Sequence, residues 1–177
     1  MTDGVSPPPP QARETVLAAA VGLHLAVMQF AHVFLLETRL TGRAAVYFTA
    51  TLFWLLGLLA GLNSRPGTSL AVRTLVATSA YYIAWALLGF RPYRSELLPA
   101  LGLCVAVSGH LAGVYFAGLA DRGGPIRLLA RENHGFVAGF LGCAVGSAFA
   151  GGFLLDWGPL CTGGLLLLVR RVSVSQG

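Results

Sequence analysis

Residues 97–119 read LLPALGLCVAVSGHLAGVYFAGL, a stretch without one charged side chain. A bilayer core about 30 Å thick is crossed by roughly 20 apolar helical residues, and this run meets that length. Walking the chain with the same ruler gives further runs at 15–38, 44–63, 70–90 and 134–155, and a shorter one at 158–170. Between them stand ETRLTGR, NSRPGTS, FRPYRSE, ADRGGPIRLLAREN and DWGP, each holding the Gly, Pro or charge that punctuates a chain. The runs are continuously apolar and about twice the length of a barrel strand, which selects helices. The fold class expected is therefore all-α: a polytopic membrane bundle of about six transmembrane helices.

Composition agrees. Only 11% of the 177 residues are charged, against about 25% in a typical soluble domain. The net charge of +5 comes from 12 basic residues, all arginine. They fall singly or in pairs between apolar runs, so no nucleic-acid surface is expected. Arg13, Arg65, Arg73, Arg122, Arg127, Arg131, Arg170 and Arg171 lie on one side of the expected topology. Arg39, Arg43, Arg91 and Arg94 lie on the other. The richer side is the cytoplasmic one, so both termini are expected in the cytoplasm of a multi-pass protein of a bacterial inner membrane. The opening MTDGVSPPPPQARE lacks the basic start and small-residue cleavage site of a secretory signal. Its four prolines predict a disordered tail over 1–13, leaving the bundle at 14–172 and a short tail at 173–177.

Helices in lipid gain little from hydrophobic burial against each other, so close backbone approach and polar contacts must hold them. In NHGFVAGFLGCAVGSAFAGG, residues Gly135, Gly139, Gly142 and Gly146 recur at four, three and four and share one face. Gly57 with Gly61, and Gly109 with Gly113, repeat the spacing on the second and fourth runs. Thr74, Thr78, Tyr81 and Trp85 form a polar and aromatic stripe on the third, expected to face another helix. Cys104, Cys143 and Cys161 sit in separate runs with no CxxC pair, which points to packing and to no metal site.

The candidate ligand-contacting groups are few. His24 and His32 lie in the first run, His110 in the fourth and His134 at the mouth of the fifth. Ionisable groups inside spans usually face the bundle interior. At 1.5 Å per residue, His24 and His110 both lie about 13 Å above the cytoplasmic boundary, so they are the pair expected to meet if their helices adjoin. His32 sits about 12 Å higher, with Gln29 one turn below it. Three readings stay open for these histidines: hydrogen bonds across helices, a ligand-lined cavity, or ligation of a haem or pigment. Glu37, Arg39 and Arg43 read as an exposed polar cluster.

Two stretches carry a family resemblance. In MQFAHVFLLETRLTGRAAVYFTATLFWLLGLLAGL, residues Gln29, Gly42, Tyr47, Gly57 and Gly61 fit a pattern, with a one-residue slip around Tyr47. In AGFLGCAVGSAFAGGFLLDWG, so do Gly142, Gly146, Gly151 or Gly152, Phe153 and Leu154. Both stretches resemble the membrane domain found fused to spermidine-synthase-like aminopropyltransferases, although Gly139 stands where that family has Asn. The resemblance implies architecture, a bundle like one half of a major-facilitator transporter, in which the first and fourth helices line one cavity. It does not imply aminopropyl transfer, because these residues hold no methyltransferase-like catalytic domain and no glycine loop after a strand.

No serine–histidine–acid set, no HExxH and no paired intramembrane carboxylates occur, so no catalytic residues are expected. Two functions follow as expectations. One is a non-enzymatic membrane module, a transporter-like half or accessory subunit working with a second copy or a separately encoded partner. The other is a haem- or pigment-binding subunit of an electron-transfer or photosynthetic complex.

Overall fold

The computed structural model describes residues 10–40, 43–64, 69–120 and 125–175. It is all-helical, without strands among those residues. The elements are α1 (Pro10–Arg39), α2 (Arg43–Leu62), α3 (Leu70–Phe90), a 3-10 turn (Ser95–Leu97), α4 (Leu98–Ala120) and α5 (Pro125–Ser175). Five helices are long and apolar enough to cross a membrane.

Two expected boundaries move. Helix α1 begins at Pro10, within the stretch 1–13 expected as a tail. A proline fits the first position of a helix, where its missing N–H would have had no partner anyway. Residues 1–9, with Gly42, Arg65 and Arg122, lie outside the described residues. The second correction concerns DWGP, expected as a loop between a fifth and a sixth run. Asp156–Pro159 is helical, and the break falls at Ala150 (φ −147°, ψ 43°), ahead of Gly151 and Gly152.

That break reverses the chain. Along the first limb of α5 (125–149), Gly135 lies on Ala19, Gly139 on Leu23 and Ala26, and Phe30 meets Phe140 edge-on at 6.0 Å. The limb thus climbs beside α1 in the same direction. After Ala150, Gly151 touches Phe34, Gly158 touches Val27 and Gly163 lies beside His24. The second limb (151–175) descends along α1, and is much longer than the expected 158–170.

The proline in this limb has its own compensation. Pro159 has no N–H, so the carbonyl of Leu155 loses its helical donor. The Tyr81 hydroxyl, from α3, donates to that carbonyl at 2.8 Å. Tyr82 donates to the Asp156 carbonyl at 2.7 Å, and Trp85 Nε1 to the Asp156 carboxylate at 3.0 Å. The stripe read from sequence on α3 therefore faces the second limb of α5. At the opposite end of the bundle from the α2–α3 turn, Tyr93 takes φ 62° and its N–H donates to Arg39 O at 2.8 Å, satisfying an end carbonyl of α1.

Glycines set the tightest contacts, and they repeat. A Cβ on Gly57 would land on the carbonyl of Ala106, and one on Gly109 on the carbonyl of Trp54. Gly61 meets His110 and Gly113 in the same way. These contacts bind α2 to α4, running parallel. The pair of α1 and the first limb of α5 has the same three: Gly135 on Ala19, Gly22 on Glu132, and Gly139 on Leu23 and Ala26. The numbering offset between α1 and α4 is constant across the three, as is that between α2 and the first limb. Since α2 returns after a short connection, α1 and α4 run in opposite senses. Two parallel helix pairs of opposite direction thus share one packing device, in which small residues bring backbones close enough for Cα–H···O contacts. Gly142 has open space around it, and Gly146 touches only Leu154 across the reversal, so the glycine stripe of the fifth run is used only over its first half.

α1 is the most enclosed helix and α5 the least. Leu25, Met28, Leu35 and Leu36 of α1 are buried with Tyr81, Leu88, Leu101 and Leu111. Phe48, Leu55, Phe140, Leu141, Phe149 and Phe153 form part of an exposed apolar belt, the surface expected to meet lipid tails.

Candidate functional site

The paired histidines do not meet. His24 Nδ1 lies 3.0 Å from Thr162 Oγ1. That hydroxyl already donates to Gly158 O at 2.9 Å, so it accepts from the imidazole. His110 Nε2 lies 2.9 Å from Ser64 Oγ, whose own proton goes to Ala60 O at 2.8 Å. The residue α1 turns toward α4 is Leu25, which shares a cavity with Ala112 and Phe116. One position along a helix is about 100° of azimuth, enough to aim His24 at α5 instead.

His32 donates from Nδ1 to Met28 O at 2.8 Å and packs edge-on against Tyr81 at 5.1 Å between ring centres. Both α1 histidines are fully buried, and the Nε2 atom of each has no hydrogen-bond partner. Beside His24, Thr78 Oγ1 is likewise buried without a partner, and Gly163 leaves room between the two side chains. His24, Thr78 and Thr162 form a polar node where α1, α3 and the second limb converge. Gln29 is half-buried and joins none of these contacts, and His134 is exposed. His24 turns to Thr162 of α5 and His110 to Ser64 beyond α2, so the two rings do not face each other.

His110 instead belongs to a lateral groove of about 1020 Å³ between α2, α3 and α4. Its walls are apolar: Phe53, Leu56, Val76, Leu103 and Val107 among them. Its polar groups, Ser64, Arg73 and His110, come from the end of α2, the first turn of α3 and the lower half of α4. Because α2 ends and α3 begins there, those groups lie near one end of the groove, while Phe53 and Leu103 lie toward mid-helix.

One buried acid escaped the sequence reading. Glu132 was placed in a loop, yet α5 already runs from Pro125 and buries Glu132 against Gly22. It borders a cavity of about 150 Å³ with Trp54, Leu58, Asn133 and Phe136, and its Oε2 has no partner. The signal was available: Leu128, Glu132, Gly135 and Gly139, all buried, continue the glycine stripe backwards at helical spacing. Glu37, by contrast, is half-buried and accepts from Tyr47 at 3.3 Å.

Among the described residues no group of three His, Cys, Asp or Glu side chains is placed to hold a metal, and Cys104, Cys143 and Cys161 are free thiols. The chain matches no family model, no curated protein and no solved structure.

Proposed function

We infer that this protein is a non-enzymatic module of a cell membrane, transporter-like in design, that crosses the bilayer six times with both ends in the cytoplasm. The observation supporting this reading is the repeated glycine contact that ties α2 to α4 and α5 to α1 in two helix pairs of opposite direction. Inverted repeats of this kind are a recurring design of secondary transporters. The major-facilitator-like architecture implied by the resembling family agrees with it.

Orientation follows the arginines. Arg13, Arg73, Arg127, Arg131, Arg170 and Arg171 stand at the end where α1 and α3 begin and the second limb of α5 finishes. Arg39, Arg91 and Arg94 stand at the other. The richer end is cytoplasmic.

A bundle of this size encloses no alternating path alone, so the working unit is a dimer or a complex with a separately encoded partner. Extraction from the native membrane in mild detergent tests this. The protein is expected to run as a dimer or with a second polypeptide, and to be colourless. A lone monomer contradicts the reading, and a Soret band that disappears in His110→Ala reassigns the protein to haem binding.

A further inference from the structure

The groove between α2, α3 and α4 has the two-part chemistry of an amphiphile site. At one end stand a guanidinium, a hydroxyl and an imidazole, from Arg73, Ser64 and His110. The rest of the wall is hydrocarbon. The start of α3 adds to the positive end: Ser69 caps it by accepting from the Val72 N–H at 3.4 Å, and a helix N-terminus carries partial positive charge.

Length selects the occupant further. From Ser64 to Phe53 along α2 is about 16 Å at 1.5 Å per residue, half of a hydrocarbon core about 30 Å thick. The groove therefore spans one leaflet, with its polar end at the interface and its apolar end near the midplane. Its volume of about 1020 Å³ is at the upper end of the ~300–1,000 Å³ usual for small-molecule pockets. The exposed faces of Leu56, Val76 and Leu103 leave it open sideways to the bilayer.

We propose that this groove binds an anionic phospholipid of the cytoplasmic leaflet, its phosphate held by Arg73 at the polar end and one acyl chain laid along Phe53, Leu56, Val76 and Val107. The proposal rests on the membrane orientation inferred above, in which the Arg73 end faces the leaflet that carries anionic lipid. The guanidinium supplies the charge and a forked set of donors suited to phosphate. The serine and histidine, bonded to each other and to Ala60 O, form a polar wall beside it.

The test uses the full chain in mild detergent with phosphatidylglycerol or phosphatidylcholine of identical acyl chains, retention being read by native mass spectrometry. Phosphatidylglycerol is expected to be retained at about tenfold lower concentration, because both lipids carry the phosphate but the choline cation of phosphatidylcholine opposes the Arg73 charge. Arg73→Gln removes that preference and Arg73→Lys keeps most of it. Val107→Trp, which fills the apolar wall, lowers retention of both lipids. Glycerol phosphate without acyl chains does not compete. Equal retention of the two lipids, an unchanged preference in Arg73→Gln, or full competition by glycerol phosphate overturns the proposal. The two readings fail separately, since thiol labelling of the loops reports the orientation and leaves the lipid preference untouched.

Discussion

Gly109→Val is expected to drive α2 off α4 and to cost more than about 3 kcal/mol, the upper range for overpacking a tight contact. The reason is steric and local. The new side chain would begin where the Trp54 carbonyl already lies, and backbone cannot swing aside as a flexible side chain does. The repeated packing adds a sharper expectation: Gly22→Val meets the Glu132 carbonyl in the same way and should be about as damaging. Gly142→Val and Gly164→Val, on the same long helix but with open space around them, should change stability by less than about 0.5 kcal/mol. Thermal midpoints in mild detergent separate the two classes. Comparable losses at all four positions would mean that glycine is needed for something other than these contacts.

The second large effect belongs to the hydroxyl that repairs a proline. Tyr81→Phe keeps the ring against His32 but strips the donor from the Leu155 carbonyl, which stays buried with no N–H four residues on. Leaving such an acceptor bare costs about 1–3 kcal/mol in soluble proteins and toward the lower end in membrane bundles. In a Pro159→Ala background, residue 159 regains an N–H that can serve the carbonyl, so Tyr81→Phe should cost little there. A double-mutant cycle on thermal or denaturant unfolding checks this. Equal costs in both backgrounds would show that the phenol matters only as packing.

The same contact explains what was hidden in the sequence. The apolar runs and the glycine spacings were legible because both are local properties of a helix, and Gly57, Gly61, Gly109 and Gly113 do line the contact between α2 and α4, with Gly61 against Gly113. The position of the reversal was not. DWGP carries the strongest breaking signals, but their cost is offset by Tyr81 and Tyr82, over seventy residues earlier in the chain. The turn fell instead at Ala150, among small residues that look equally at home inside a helix.

The site shows the same division. Counting residues gives the positions of His24 and His110 along their helices, whereas their facing depends on azimuth. A difference of one position sent His24 to Thr162 and left Leu25 toward α4. Arg73 and Ser64 were read only as loop-side residues, and their meeting with His110 needs the parallel pairing of α2 and α4 to be known first. Glu132 lay one step beyond a stripe that had been followed only from Gly135 onward.

The account depends on α5 being two antiparallel crossings, since a single straight helix of that length would reach about 77 Å and destroy the inverted pairing. Single cysteines at Arg127, Ser175 and Tyr93, in a background without Cys104, Cys143 and Cys161, can be probed in intact membranes with an impermeant thiol reagent. Positions 127 and 175 are expected to react from the same, cytoplasmic side and position 93 from the opposite one. Reaction of position 175 on the side of position 93 would contradict the reversal at Ala150 and, with it, the transporter-like reading.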